Sequence, residues 1–395
     1  MLLLARDSWS MGAGSSRMKS LVRLFSSNGF YCKIYTTSVS PAGEVNDESP
    51  NYQVCSLGDP SKLHGFAKVN LLLFGKDVAE KILSEEKPDF VVVYSTLRYS
   101  TAKFIKSYCL SHHIPLVFDV VEFRQLFASF SPKAFFLFNY HNNRLSKKLI
   151  DSKVGVICPT HFLMDYFAQK RHVANLFLFP ITFHLADLPK YKKDPSIKKI
   201  TYLYAGTPNQ KRDLLANMIK GFNMLEPELQ EKIAVYFCGN FDKEKLVEEE
   251  GVSIDDIKKS LSYAVYPGQL SHAELYKLYS NIDYSILLKN ETKQFSKAGF
   301  PTKMSESFGI GVPMVTNFSG DIKYYAIDGI NCFIAKGHGP EGFKLAVERS
   351  ILEYEDKHAA MSASALNTAK DHFEIDLYIS GFSTFIQKCN ETLVF

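Results

Sequence analysis

Lys303 and Glu306 are the two residues whose types and spacing most clearly fit a binding chemistry. Because they are three positions apart, they would share one face of a helix. Unpaired N–H groups at a helix start bind phosphate oxygens, and the Lys303 ammonium would add positive charge there. A carboxylate one turn further, at Glu306, can accept hydrogen bonds from both hydroxyls of a ribose. The pair therefore suits a nucleoside diphosphate, although an ordinary Lys–Glu pair on a solvated helix has the same spacing.

The segment that carries this pair, residues 300–317, reads FPTKMSESFGIGVPMVTN. Pro301 predicts a helix start, because its fixed φ suits the first turn. Gly309 and Gly311 predict the end of that helix. The apolar run 312–315 then predicts a short buried strand. A loop, a helix, a glycine stop and a strand in this order indicate one unit of an α/β domain.

The same segment resembles the FPTK-x-x-E-x-x-x-x-G-x-P signature of glycosyltransferases with the GT-B fold, especially glycosyltransferase family 4, a large retaining family. In that family the residue that matches Glu306 binds the ribose of the nucleotide-sugar donor. The resemblance therefore implies donor contacts at Thr302, Lys303 and Glu306. It also implies two Rossmann-like domains that face each other across a cleft, with the donor on the second, the acceptor mainly on the first, and a last helix that returns to the first.

A second motif, residues 206–213, reads GTPNQKRD and resembles the G-x-P-x-x-K-x-D loop of the family. The basic residue of that loop contacts the donor pyrophosphate in the family, and both Lys211 and Arg212 fit the role. A merely solvated helix start fits poorly here, because cations at a helix N-terminus oppose its dipole. Gly206, at the start of the loop, is a further donor-site candidate. The turn after the strand of the first segment adds two more candidates, Ser319 and Gly320.

Candidate residues in the first half of the chain are less specific. Residues 8–16, SWSMGAGSS, follow a predicted strand and precede a helix but lack the full G-x-G-x-x-G fingerprint. The matching loop of the family faces the cleft, so Gly14 is a candidate for substrate contact, while a turn-forming role fits as well. Asp119 and Glu122 end a predicted strand at the edge where open α/β sheets bind ligands, and both are candidate catalytic residues. A helix cap at Asp119 and a solvated loop at Glu122 fit equally, and a His that the family often carries near this point is absent.

The composition fits a globular protein of two domains, with 395 residues, 46% hydrophobic and 22% charged. The net charge of +4 suits an anionic ligand or a membrane surface and is too small to indicate nucleic-acid binding. Seven cysteines without a C-x-x-C spacing predict neither a disulfide framework nor a zinc site, and they favour a reducing cytosol. No apolar run approaches the roughly 18 residues that span a bilayer.

The Pro- and Lys-rich stretch 187–198 is the predicted linker. It separates a predicted acceptor-side domain, 1–186, from a nucleotide-sugar-binding domain, 199–375, which is followed by the returning helix, 376–395. Short apolar runs predict strands at 1–5, 32–36, 69–74, 90–94, 116–120, 154–158, 176–180, 200–205, 233–238, 263–268 and 283–288. Helices are predicted at 17–27, from 214 onward, at 271–280 with a capping box, and as two closing helices at 341–353 and 377–388. Residues 289–299 are predicted to form a flexible loop, and residues 326–335 resemble a strand pair of the family.

Residues 131–150 predict a helix that suits a membrane surface. It carries the aromatic run 135–140 ahead of the cations Arg144, Lys147 and Lys148. Aromatic residues beside a basic face can lie in a bilayer interface, which makes 133–148 a candidate peripheral membrane contact. A buried helix with a solvated end fits the same pattern.

The resemblance implies a cytoplasmic glycosyltransferase of surface polysaccharide or glycan biosynthesis. Such an enzyme moves a sugar from a nucleotide-sugar donor to a glycan or lipid-linked acceptor, with retention and with no metal or other cofactor. One departure matters, because the first acid of the family's E-x7-E motif falls on Ala298, and Glu291 lies nearby but out of spacing. A non-catalytic sugar-nucleotide-binding partner of another glycosyltransferase is therefore the alternative hypothesis, since fold alone does not fix function.

Overall fold

The computed structural model describes residues 1–5, 9, 13–36, 47–57, 75–94, 97–123, 140–206, 213–239 and 252–392. The chain divides into two compact units. The first unit consists of Met1–Thr182 together with Ile375–Phe395, and the second consists of Phe183–Glu374. Residues 187–198, the predicted linker, lie within the second unit, where the backbone N–H of Tyr191 donates to Ile310 at 2.9 Å.

The described part of the first unit contains an eight-stranded sheet in the order β3-β4-β2-β1-β5-β6-β7-β8, parallel except for the β3–β4 pair. Its strands are β1 (Leu2–Ala5), β2 (Cys32–Thr36), β3 (Asp47–Ser49), β4 (Tyr52–Ser56), β5 (Val91–Tyr94), β6 (Leu116–Asp119), β7 (Gly155–Cys158) and β8 (Leu176–Leu178). Every residue of β1, β5, β6 and β7 is buried, as expected for strands that are covered on both faces.

The helices described in the first unit cover this sheet. They are α1 (Ala13–Ser27), α2 (Lys76–Glu86), α3 (Tyr99–Ser111), α4 (Tyr140–Arg144), which continues as a π-helical turn (Leu145–Leu149), and α5 (His161–Arg171). The last helix of the chain, α15 (Ile379–Glu391), also belongs to this unit. Its Phe382 packs against Phe25 of α1 and Phe177 of β8, with ring centroids 4.9 and 5.2 Å apart. The prediction that the last helix returns to the first domain is confirmed.

The second unit contains a parallel six-stranded sheet in the order β11-β10-β9-β12-β13-β14 among its described residues. Its strands are β9 (Ile200–Ala205), β10 (Ile233–Cys238), β11 (Ala264–Gly268), β12 (Tyr284–Leu287), β13 (Met314–Asn317) and β14 (Cys332–Ala335). Its α-helices are α6 (Leu215–Asn223), α7 (Pro227–Gln230), α8 (Ile254–Ser260), α9 (His272–Tyr279), α10 (Gln294–Ala298), α11 (Thr302–Ile310), α12 (Ile322–Tyr325), α13 (Pro340–Leu352) and α14 (Tyr354–His372). Since all six strands are parallel, their carboxyl ends lie along one edge of the sheet.

Most predicted elements appear within one to four residues of their predicted bounds. The capping box of Ser271 and Glu274 opens α9, as predicted. The strand predicted at 69–74 lies outside the described residues, and β3 and β4 were not predicted.

Three predicted elements of the second half differ from the structure. The chain closes with three helices because the 19-residue α14 lies between the two predicted ones. Its buried stripe is His358, Met361, Ala365 and Ala369, in which small side chains give a weak apolar signal. Residues 326–335 contribute one strand, β14, rather than a pair, and the predicted loop 289–299 contains α10.

The two glycines of the signature segment have different roles. Gly311 ends α11 in the left-handed conformation, with φ of 93°, as predicted. Gly309 lies inside the helix, so the prediction that it ends the helix was wrong. A Cβ at Gly309 would lie 2.5 Å from a methyl carbon of Leu188. This glycine therefore permits close packing of the helix against the segment that precedes β9.

A buried carboxylate, Asp283, links several elements at the amino edge of the second sheet, where its parallel strands begin. Its side chain is inaccessible to solvent and accepts hydrogen bonds from Lys193 Nζ at 2.6 Å and from the hydroxyls of Tyr191 and Tyr354 at 2.7 and 2.8 Å. It also accepts from the backbone N–H and the hydroxyl of Thr201, at 2.8 and 2.9 Å. Asp283 directly precedes β12. Its hydrogen bonds therefore connect the start of β12 to β9, to α14 and to the segment before β9. Although burial acts to raise the pKa of Asp283, Lys193, Tyr191 and Thr201 together lower it.

We expect Asp283→Asn to lower the free energy of unfolding by roughly 3–5 kcal/mol, because it leaves Lys193 partly buried without its counter-charge. The depressed pKa adds a pH dependence. The contribution of Asp283 should be present above its unfolded pKa of about 3.9 and be lost as the pH falls through its folded value. Urea unfolding at several pH values measures both effects. The exposed Asp371→Asn is the matched control, and equal losses in the two variants would contradict this role.

Candidate functional site

The candidate site lies at the carboxyl edge of the second sheet, where α11 begins. Pro301 occupies the position before the helix and provides no side-chain cap, so Thr302 and Lys303 receive no side-chain acceptor from it, while its carbonyl accepts from the N–H of Met304 at 2.9 Å. Thr302, the first helical residue, is half-buried. The helix start therefore offers the amide groups that the sequence predicted for phosphate oxygens.

Three groups surround the Lys303 ammonium. Nζ donates to Asp213 Oδ2 at 2.7 Å and lies 4.7 Å from the centre of the Tyr204 ring. The Tyr204 hydroxyl donates to the same Asp213 oxygen at 2.9 Å. A Cβ at Gly206 would lie 3.0 Å from Nζ, so glycine at this position lets the backbone approach the ammonium. Gly206 therefore lies beside the predicted phosphate-binding cation.

Asp213 is a buried anion between two cations. Burial acts to raise its pKa, but the charges of Lys303 and Lys289, with hydrogen bonds from Lys303 and Tyr204, lower the pKa below its usual value. Lys289 follows β12 closely, and the sequence reasoning did not single it out. Lys303 and Lys289 thus bring positive charge to the neighbourhood of Asp213, and cations at this edge of the sheet suit an anionic ligand. A cation just past a predicted strand end was the signal that could have identified Lys289.

Glu306 lies one turn further along α11 and is half-buried. Its burial raises the pKa of the carboxyl to about 7, although the Lys303 charge and a hydrogen bond with Tyr276 of α9 act to lower it. Lys303 pairs with Asp213 rather than with Glu306. The interpretation of an ordinary exposed Lys–Glu pair is therefore wrong.

The turn after β13 is tightly packed. Ser319 is buried, and its hydroxyl has no hydrogen-bond partner among the described residues. Gly320 has φ of 57°, and a Cβ there would lie 2.7 Å from the backbone oxygen of Ser296 in α10. Both residues follow the carboxyl end of β13, so they lie at the same edge of the sheet as the start of α11, and their donor contacts stay a prediction. Ala298, where the family's first acid would fall, is fully buried in α10.

Asn317, the last residue of β13, holds the loop after β12. Its amide accepts from the Lys289 N–H at 3.0 Å and donates to the Lys289 carbonyl at 2.8 Å. It also donates to Glu291 Oε2 at 3.2 Å, and His338 Nδ1 lies 2.9 Å from the same oxygen. The sequence reasoning placed neither Asn317 nor His338 in the site, because no local motif connects residues 26 and 47 positions from Glu291.

Asp119 lies in the first unit, in a buried ion pair with Arg17. Its two carboxylate oxygens accept from Arg17 at 2.8 and 2.9 Å, and Arg17 also donates to the carbonyls of Phe179 and Pro180. The Asp119 side chain is inaccessible to solvent. Asp119 is therefore not a helix cap, which was the alternative prediction, and the ion pair fixes the end of β6 against α1. A catalytic role for Asp119 has no support in this geometry.

The other candidates of the first unit remain predictions. Glu122 is half-buried in the segment that follows β6. Gly14 lies in the first turn of α1, so the prediction that it belongs to a loop was wrong. In the second unit, the candidates Lys211 and Arg212 lie outside the described residues.

The candidate membrane segment is described only from Tyr140 onward. Lys147 and Lys148 are exposed, whereas Arg144 packs 4.5 Å from the ring of Tyr99 and donates to the Tyr140 hydroxyl. The aromatic residues 135–139 lie outside the described part. No helix in the described part of the chain has the length and apolarity needed to cross a membrane.

No protein-family model and no curated protein matches the sequence. Solved structures do match its fold. Sucrose-phosphate synthase from Thermosynechococcus elongatus matches with a TM-score of 0.77 at 11% identity over 98% of each chain. HepE from Anabaena, solved with UDP and glucose, matches with a TM-score of 0.68 at 14% identity over 98% of each chain. WaaG, a glycosyltransferase involved in lipopolysaccharide biosynthesis, matches with a TM-score of 0.66 at 12% identity over 97% of this chain and 98% of that one.

These matches extend over nearly the whole chain. The protein therefore has the GT-B fold, with two Rossmann-like domains, as the sequence predicted. At 11–14% identity the similarity of these three structures concerns the fold alone and does not transfer their functions to this chain.

We expect Glu306→Gln to stabilise the protein above neutral pH. The folded carboxyl keeps its proton to about pH 7, whereas the unfolded one releases it near 4.3, so the free energy of unfolding falls as the pH rises through this window. Glutamine does not ionise and should remove that decline, gaining about 1–3 kcal/mol at pH 8 and little at pH 4.5. Urea unfolding at both pH values tests this. The exposed Glu355→Gln is the control, and a gain that is independent of pH would refute the explanation.

Proposed function

We propose that this protein is a glycosyltransferase that moves a sugar from a nucleotide-sugar donor to a hydroxyl group of an acceptor. One observation carries the proposal. The start of α11 has no side-chain cap and lies at the carboxyl edge of a parallel sheet. The Lys303 ammonium is paired with Asp213 beside it, and the buried carboxyl of Glu306 lies one turn further along the helix. Open α/β sheets bind ligands at this edge, and the chain has the GT-B fold.

Each part of the donor would be bound by a different set of residues. The start of α11 with Lys303 would hold the diphosphate, with Lys289 as a second cation nearby. Glu306 would accept the ribose hydroxyls, which donate hydrogen bonds and so favour its ionised form. Tyr276, whose hydroxyl bonds to Glu306, would fix that carboxylate.

The reaction would depend on stabilising the leaving diphosphate. Amide groups and ammonium charges that are already in place can do this as the bond to the sugar breaks. The sugar would pass through an oxocarbenium-like transition state, as in glycoside hydrolysis. From the signature segment we propose that the protein belongs to family 4 and retains the anomeric configuration. We also propose that the reaction needs no metal, because lysines and helix amides would stabilise the diphosphate in place of a metal ion. Glu122 is the remaining candidate for a catalytic role.

HepE was solved with UDP and glucose, so UDP-sugars are the first donors to test, followed by GDP- and ADP-sugars. A non-catalytic sugar-nucleotide-binding protein is the second candidate function. It is favoured by Ala298, whose fully buried methyl group occupies the position of the family's first acid. Release of nucleoside diphosphate in the presence of a donor and EDTA distinguishes an enzyme from a binding protein, and it also tests metal independence.

We expect Glu306→Gln to weaken nucleoside diphosphate binding by roughly 1.5–3 kcal/mol, because the amide loses charge and an acceptor position. Lys303→Met should also weaken binding, since it removes charge while keeping an unbranched side chain of similar length. Isothermal titration with UDP, GDP and ADP measures both. Glu355→Gln and Lys277→Met are exposed matched controls. Parental affinity in folded Glu306 and Lys303 variants would rule out this site.

The acceptor would be a glycan or a lipid-linked glycan, and the enzyme would be cytoplasmic, at the inner membrane face if it contacts lipid. If residues 133–148 contact the bilayer, Lys147 and Lys148 should each contribute about 1 kcal/mol at an anionic surface, weakened by salt. We expect sedimentation with anionic vesicles at low salt and release at high salt. Lys147→Glu with Lys148→Glu should abolish it, unlike the exposed pair Lys153→Glu with Lys170→Glu. Sedimentation that ignores salt and lipid charge would leave the segment a structural helix.

A further inference from the structure

Glu291 carries a carboxylate that is held in place at one end of the candidate site. It lies in the loop after β12, and its side chain is about one-third exposed. Oε2 accepts a hydrogen bond from the Asn317 amide at 3.2 Å and lies 2.9 Å from His338 Nδ1. Among the described residues, no group donates to Oε1. The carboxylate is therefore oriented through one oxygen and keeps the other for a ligand.

The groups that orient Glu291 are themselves fixed. Asn317 is buried and bonds to both backbone groups of Lys289, so its amide has one orientation. The backbone carbonyl of His338 accepts from the Asn217 amide of α6 at 2.7 Å. Since the imidazole faces a carboxylate through Nδ1, that nitrogen must carry the proton. Glu291 is thus held by two elements, β13 and the turn after β14.

A cavity of about 360 Å³ lies directly beside this carboxylate, at the carboxyl ends of β13 and β14. Its volume is near the lower bound for small-molecule sites, which suits one sugar ring. Its lining includes Glu291, Asn317, Phe318, Asp328, Lys336 and Gly337. Of its two carboxylates, Asp328 is already paired with Arg349 at 3.0 Å. Both Asp328 oxygens accept hydrogen bonds, so Oε1 of Glu291 is the carboxylate oxygen of this lining that receives none among the described residues.

The strand order places this cavity on one particular side of the diphosphate site. Lys303 contacts residues of and next to β9, whereas Glu306 points toward Tyr276 of α9, the helix between β11 and β12. The cavity lies two to three strands beyond β9, over β13 and β14, or roughly 10 Å or more at about 4.8 Å per strand. A sugar attached to a diphosphate at Lys303 would have to extend past β12 over this distance to reach the cavity.

We propose that Glu291 is a specificity-determining residue for the transferred sugar, whose ring it recognises by accepting a hydrogen bond from a hydroxyl group inside this cavity. The inference rests on the proposed function and adds the class of the sugar, a pyranose with a free hydroxyl at the position that reaches Oε1. Asn317 and His338 are positioning residues, because they act through the carboxylate. A site that is built to bind a hydroxyl discriminates strongly against a donor that lacks it, since its own polar group is then left unpaired.

The test compares Glu291→Gln with the parental protein by isothermal titration, using UDP, GDP and ADP and the matching nucleotide-glucose donors. We expect the affinity for the nucleoside diphosphate to stay unchanged, while the affinity for the nucleotide sugar falls roughly ten-fold or more. Monodeoxy donors give a second readout. The parental protein should bind one of them as weakly as Glu291→Gln binds the full donor, and the variant should not distinguish these two donors.

Two variants of His338 test the positioning role. His338→Asn keeps an N–H donor near the position of Nδ1, whereas His338→Ala removes it. We expect His338→Ala to raise KM for the donor sugar with little change in nucleoside diphosphate affinity, and His338→Asn to restore the parental KM. The exposed Glu355→Gln is the control for an unrelated loss of charge.

The outcomes separate the inference from the proposed function. Parental affinity of Glu291→Gln for the nucleotide sugar would overturn the inference and leave the proposed function intact. An equal loss for nucleotide and nucleotide sugar would also overturn it, because Glu291 would then only fasten the loop that carries Lys289. If the parental protein bound no nucleotide and no nucleotide sugar, the proposed function would fail and the inference with it.

Discussion

The buried contact between Asp213 and Lys303 is the interaction on which the candidate site depends. Lys303 stands at the start of α11, where the helix dipole already disfavours a cation. Asp213 offsets that cost with a direct hydrogen bond of 2.7 Å, and the Tyr204 ring covers the ammonium from β9. The charge of Lys289, in the loop after β12, also lowers the pKa of this aspartate. The carboxylate thus holds the Lys303 ammonium at the carboxyl edge of the sheet, next to Tyr204 of β9.

The two edges of this sheet use buried aspartates in opposite ways. At the amino edge, five donors surround Asp283, which satisfies it and leaves no charge for a ligand. At the carboxyl edge, Asp213 has fewer donors and two lysines, and Glu306 is kept shielded at a cost in stability. Unfavourable placement of this kind is common where a protein binds ligands, since function and stability compete for the same groups. The contrast agrees with the rule that parallel α/β sheets bind at their carboxyl edge.

Much of the fold could be predicted from the sequence, because runs such as 200–205 and 233–238 are apolar throughout and bounded by turn residues. The strands β9 and β10 have those bounds. Helix α14 could not be predicted in this way, because its buried face contains alanines and a histidine, whose apolar signal in the sequence is weak. The site was predictable where a local motif carries it, as at Lys303 and Glu306. It was not predictable where a partner is remote. Arg17 is 102 positions from Asp119 and turned a candidate catalytic acid into a structural ion pair, and Asp213 is 90 positions from Lys303.

The three acids at the carboxyl edge, Asp213, Glu306 and Glu291, differ in environment. This difference suits them to different parts of a bound ligand. Asp213 is ionised and interacts with the charges of Lys303 and Lys289. It would therefore position cations for an anionic ligand without contacting that ligand itself. Glu306 is shielded, and only about 4.5 Å of helix rise separates it from Lys303. A diphosphate bound at Lys303 would disfavour a charged Glu306, whereas ribose hydroxyls would favour it. Binding of both together requires the hydroxyls to prevail, which a free phosphate cannot provide. Under the proposed function, the site would therefore favour a nucleotide over an isolated anion, and Glu291, which is oriented through one oxygen only, would extend that preference to the sugar.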